Sequence, residues 1–154
     1  MPPDPYAESP DEELERLTSL LLEAAGDLIA QGGGFLPFAA RLHDGGEAEL
    51  IPPVLDEDEL ENPDPAAVLE VLEEALRMDA LAGLLRCGGT CTDVLVDLPG
   101  EGRLDAARVA VEHRDGPSAV TLLPYAATAD GGPPALRPAV RTPGDAVLFA
   151  SDPG

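Results

Sequence analysis

Cys87 and Cys91, His43 and His113, and Ser118 are the residues whose types and spacing could do chemistry in this chain. Cys87-Gly-Gly-Thr-Cys91 with two histidines has the donors of a Cys₂His₂ zinc site. Its spacing fits no familiar zinc pattern, and each histidine stands alone in sequence, so no metal is expected. A disulfide is disfavoured in a reducing cytoplasm. That leaves two free thiols behaving as small apolar residues. Glu112-His113-Arg114-Asp115, with Ser118 across a turn, has the ingredients of a hydrolase. A serine nucleophile also needs an oriented base and an oxyanion hole, and no G-x-S-x-G elbow is present. Gly32-Gly33-Gly34 follows a helix and precedes a strand, the reverse of a phosphate loop. There is no lysine to complete G-x-x-x-x-G-K-[ST]. The acidic run Asp56 to Glu61 lacks the calcium-loop glycine and reads as a solvated loop. The expectation is no catalytic residue, no cofactor and no enzyme.

Charged residues on strands are the remaining candidates. Alternation inward from Phe38, Val94 and Val109 puts Arg41, His43, Arg108 and Glu112 on a sheet face turned away from the helices, with Asp93 and Asp97 beside them. Arg41, His43, Arg108 and Glu112 are the candidate partner-binding residues. The bland alternative is a solvated face whose ion pairs contribute little.

The elements that must position these residues can be read along the chain. Residues 1–10 form a proline-rich leader. Ser9-Pro10-Asp11-Glu12 is a capping box with proline at the first helical position. Leu14, Leu17, Leu21, Ala24 and Leu28 follow at helical spacing, and the glycine run stops the helix. Phe35 to His43 and Glu47 to Pro52 read as a hairpin. A three-residue loop, Asp44-Gly45-Gly46, sets Arg41 against Glu49, Leu42 against Ala48 and Ala40 against Leu50, which matches charge to charge and apolar to apolar. Asn62 or Asp64 caps a second helix that buries Val68, Leu72, Ala75 and Leu76 and ends near Gly83. Thr90 to Leu98, Leu104 to Arg114 and Ser118 to Tyr125 are strands. Asp115-Gly116 reads as a two-residue turn, pairing Val111 with Val120 and His113 with Ser118. Leu136 to Arg141 and Asp145 to Ala150 are candidate edge strands.

The order α-β-β-α-β-β-β implies an α+β two-layer sandwich of profilin-like or roadblock-like type. Its sheet is mainly antiparallel, with both helices on one face. Residues 11–125 form the domain and 126–154 a C-terminal extension. FLPFAA (Phe35 to Ala40), LHDGGE (Leu42 to Glu47), VEHRDGPS (Val111 to Ser118) and LLPYA (Leu122 to Ala126) resemble a group of small uncharacterised bacterial α+β proteins. The resemblance supports the fold and implies no activity.

Charge narrows the function. The chain of 154 residues carries a net charge of −21. Met1 to Asp79 holds 21 acids against three arginines, and Ala80 to Gly154 nine against six. Nine scattered arginines without a cluster do not make a phosphate-binding surface, so nucleic acid and anionic membrane are excluded as partners. No signal peptide or 18-residue apolar run is present, and a cytoplasmic location is expected. The reading is a non-enzymatic protein-interaction module favouring a basic partner surface. Its sharpest version is an immunity-like or antitoxin-like inhibitor. The alternatives are a small-molecule-binding protein or enzyme using a pocket between helices and sheet, and a scaffold or oligomerisation module joined through an edge strand in Leu136 to Ala150.

Overall fold

The first helix, α1 (Pro10–Ala30), begins where the sequence supplies a cap. Ser9 Oγ accepts the Glu12 amide, and the Glu12 carboxylate accepts the Ser9 amide. These bonds satisfy donors that a helix start otherwise leaves open. The second helix, α2 (Pro65–Leu81), is capped by Asp64, whose carboxylate accepts the Ala66 amide at 3.1 Å. It buries Val68, Leu72 and Leu76, while Ala75 is exposed. The computed structural model describes residues 8–32, 34–53, 55, 57, 61–128, 130–144 and 148–149.

Among the described residues, seven strands complete an α+β fold. They are β1 (Phe38–His43), β2 (Ala48–Ile51), β3 (Leu85–Leu98), β4 (Gly102–His113), β5 (Ser118–Ala126), β6 (Ala135–Leu136) and β7 (Val140–Pro143). The sheet order is β2-β1-β3-β4-β5-β6, with β7 also on β5, and all pairings are antiparallel. The two short strands of the C-terminal extension differ from the expected ones. Of Asp145 to Ala150 only Leu148 and Phe149 lie among the described residues, and they are not strand. The leader up to Ala7, and most of the acidic run Asp56 to Glu61, also lie outside the described residues.

The helices do not share a face. α1 packs on Phe38, Ala40, Leu42, Cys87, Val109 and Val111. α2 packs on Ala39 and Leu85, which point the other way. α1 and the sheet form the two main layers, and α2 covers the β1–β3 end of the opposite face. Gly88 and Gly89 sit between them. A β-carbon at Gly88 would lie 2.8 Å from Leu148 Cδ1 and 3.6 Å from Leu76 Cδ2; one at Gly89 would lie 2.9 Å from Leu21 Cδ1. β3 starts at Leu85 rather than the expected Thr90 because Leu85 and Cys87 to Gly89 pair with β1. Gly88 and Gly89, poor strand formers in general, stand there because the sheet is pressed from both sides.

The first hairpin has the expected three-residue loop and register. The second does not have the expected two-residue loop. Val111 pairs with Ala119 and Glu112 with Ser118, a shift of one residue. The cause is Pro117. A two-residue turn needs the amide of its last residue, and proline has none. The chain instead uses Arg114-Asp115-Gly116, with the His113 amide donating to the Pro117 carbonyl at 2.8 Å and the Gly116 amide to the His113 carbonyl at 3.1 Å. Gly116 takes φ of +119°. Gly116→Val is expected to lower stability by about 1–3 kcal/mol, because a β-branched residue is strained there. Urea unfolding checks this, and a change under about 0.5 kcal/mol contradicts it.

Candidate partner-binding site

Arg41, His43, Arg108 and Glu112 do share the sheet face opposite α1. Cross-strand partners point the same way, and Arg41 pairs with Gly88, Gly88 with Glu112, and Thr92 with Arg108. They are not equally available. Arg41 Nη1 donates to Asp79 of α2 at 2.9 Å, and its Nε and Nη2 reach Glu49 at 3.3 to 3.4 Å. His43 Nε2 lies 2.9 Å from the same Glu49 carboxylate. The His43 hydrogen bond, then Arg41, hold the Glu49 carboxyl below its ordinary range. Arg41 and His43 therefore tie β1 to β2, and Arg41 also ties β1 to α2. Glu112 is buried, and its carboxylate accepts the amides of Leu148 at 2.7 Å and Phe149 at 2.8 Å. It anchors the C-terminal extension across the sheet. Arg108 lines a groove of about 180 Å³ between α2, the sheet and Leu148.

Asp93 and Asp97 do not join them. They alternate with Val94 and lie on the α1 side, in step with Cys87 and Cys91. Asp93 accepts the Tyr125 hydroxyl at 2.7 Å, and Asp97 pairs with Arg103 at 3.4 Å. Burial and the Asp93 contact push the Tyr125 phenol well above its ordinary value.

The chemistry-bearing residues do not converge on a nucleophile. His43 is on one face, while His113, Cys87 and Cys91 are on the other. The cysteines are free and buried. Four residues apart on one strand, they are about 13 Å from each other, beyond disulfide reach. Burial pushes both thiols up to about 12, so neither is a thiolate near neutrality. The register shift sets His113 and Ser118 on opposite faces. Ser118 Oγ donates to the Gly144 carbonyl at 3.0 Å instead.

A buried cluster was missed in the sequence. Glu13 Oε1 lies 3.0 Å from His113 Nε2, and Glu13 Oε2 accepts Arg86 Nη1 at 2.9 Å. His113 Nδ1 accepts the Asp115 amide at 3.0 Å, so Nε2 carries the proton and donates to Glu13. Both ring nitrogens are occupied, leaving no base for Cys87 beside it. The available signal was spacing: Glu13, Leu17 and Leu21 are four residues apart on one helix face.

A larger apolar depression lies elsewhere among the described residues. It has a volume of about 730 Å³ between the end of α1 (Leu28), Phe35 and Phe38, and Leu50 to Pro53 at the end of β2. The Phe35 and Phe38 rings pack at 5.9 Å and 59°. Leu50 is 42% exposed, and Asp27 is the charged residue in the lining. β2 pairs with β1 alone among the described residues, so its outer edge adjoins this depression unpaired. No helix among the described residues is long and apolar enough to cross a membrane. Comparison with family models, with curated proteins and with solved structures gives no match.

Proposed function

We propose that this chain is a non-enzymatic cytoplasmic protein-interaction module that receives an extended, apolar segment of a basic partner against β2. The observation that carries the reading is the apolar depression beside the β2 edge, which is unpaired among the described residues and set in an acidic surround. Strand addition supplies backbone hydrogen bonds, and a neighbouring apolar pocket supplies selectivity. Asp27 lines the depression, Glu23 is exposed one turn earlier on α1, and the exposed Glu47 immediately precedes the edge strand. These charges favour cationic flanks on the partner and raise its association rate. An inhibitor of a basic toxin is the narrower form of the same reading. The short, acidic β2 also discourages self-pairing of identical edges, which strand-edge proteins must avoid.

The test uses immobilised peptides with one apolar core, flanked either by arginine and lysine or by aspartate and glutamate. The cationic set is expected to bind, more weakly at high salt. Leu50→Arg is expected to weaken that binding about tenfold or more, since it puts a cation and a polar head into the apolar contact. Equal binding of both peptide sets, or unchanged binding by the variant, overturns the reading.

A further inference from the structure

Arg108 is unlike the other arginines. Eight of the nine form an ion pair: Arg16, Arg41, Arg77, Arg86, Arg103, Arg114, Arg137 and Arg141. Arg108 is half-buried and makes no hydrogen bond or ion pair among the described residues. Acids are not lacking nearby, because Glu73 of α2 and Glu112 line the same groove. The Glu112 carboxylate is turned to the Leu148 and Phe149 amides. Arg108 thus lines a concave site with its donors unspent among the described residues. A carboxylate seated there would take up those donors in charge-assisted hydrogen bonds.

We propose that this groove is a binding site for a short aliphatic monocarboxylate, separate from the β2 surface and independent of the reading made for it. The guanidinium presents the planar fork that a carboxylate accepts through two hydrogen bonds. Leu69, Val120 and Leu148 supply an apolar wall for a short carbon stem. The groove's 180 Å³ holds roughly six water-sized groups, the size of a four- or five-carbon acid. Glu73 and Glu112 in the lining repel an anion in proportion to its charge, so dianions and phosphate are disfavoured relative to a monoanion. One cation, one apolar wall and flanking acids together select a monoanion with a hydrophobic tail.

The test is calorimetric titration of the full chain with butyrate and isovalerate, alongside succinate, inorganic phosphate and the neutral isostere butyramide. Saturable binding of the monocarboxylates is expected with Kd about 1 mM, in keeping with so small a ligand. Arg108→Met keeps the stem's volume and is expected to weaken butyrate about tenfold or more. Arg108→Lys keeps the charge but not the fork, and is expected to fall between. A second readout is the ¹⁵N resonance of the Arg108 Nε–H group, which should shift with butyrate and not with butyramide. Absence of monocarboxylate binding, equal binding by Arg108→Met, or tighter binding of phosphate or succinate overturns the proposal. Loss of peptide binding at β2 with this site intact would sink only the interaction reading.

Discussion

Glu13→Ala is expected to lower stability by about 2–4 kcal/mol, the cost of leaving buried donors without their acceptor. Glu13 is 5% exposed on a helix whose neighbouring acids face water. Its two oxygens answer His113 Nε2–H and Arg86 Nη1 separately. Removing the carboxylate strands a His113 donor that is 2% exposed. It also strands the Arg86 charge, although Arg86 is partly exposed and water can recover some of that loss. The expected loss is therefore smaller than for a fully buried pair. Glu23→Ala on the exposed face of the same helix should change stability by less than about 0.5 kcal/mol. Urea unfolding of both variants near neutral pH is the measurement. Equal effects would mean that the cluster contributes nothing beyond a surface pair.

Acid should reveal the same cluster. Burial pushes the Glu13 carboxyl up, but the hydrogen bonds from His113 and Arg86 outweigh it and hold the group below its ordinary value of 4.5. A carboxyl whose folded pKa lies below its unfolded one contributes stability that is fully present above the unfolded value. That contribution is lost as pH falls through the folded value. The stability gap between the native chain and Glu13→Gln should therefore be largest near neutrality and shrink on acidification below about pH 4.5. A gap that stays constant, or widens in acid, contradicts the assignment of Glu13 as the charged member.

Particular residues explain what the sequence made legible. The first hairpin's register was readable because Arg41–Glu49 and Ala40–Leu50 sort by chemistry and one slip mixes them. The second hairpin has small and apolar residues on both faces, so a one-residue slip still matched well, and only the missing Pro117 amide decides it. Periodicity showed that Leu14, Leu17, Val68 and Leu72 are buried. It could not show that α1 and α2 press on opposite faces, because a period says which residues are covered and not by what. Of the four candidate site residues, the shared face was readable from alternation. Their availability was not, since Asp79, Leu148 and Phe149 reach Arg41 and Glu112 from distant parts of the chain. Asp93 was misplaced because β3 carries apolar residues on both faces, and its true partner, the Tyr125 hydroxyl, lies two strands away.

Gly89→Val is expected to lower stability by about 3 kcal/mol, although valine is the better strand former. Strand propensity spans only about 1 kcal/mol, and at this position packing opposes it. A β-carbon would come within 2.9 Å of Leu21 Cδ1 and of Val111 Cγ2, and within 3.0 Å of the Ala110 carbonyl oxygen. The leucine end can turn aside, but the β-branched Val111 and the backbone carbonyl cannot do so without moving β4. Valine adds two methyl groups beyond that β-carbon, so α1 must lift or the strand must shift. Both disturb the core between α1 and the sheet. Gly45→Ala is the control, because nothing lies within 4 Å of a β-carbon there. A double-mutant cycle locates the clash. Leu21→Ala alone should cost about 2–5 kcal/mol by opening a cavity. In the Gly89→Val background it should cost less, because the new methyls occupy part of that space. Strict additivity would place the strain at the Ala110 carbonyl instead of at Leu21. A neutral or stabilising Gly89→Val would show that α1 does not press on β3 at this point.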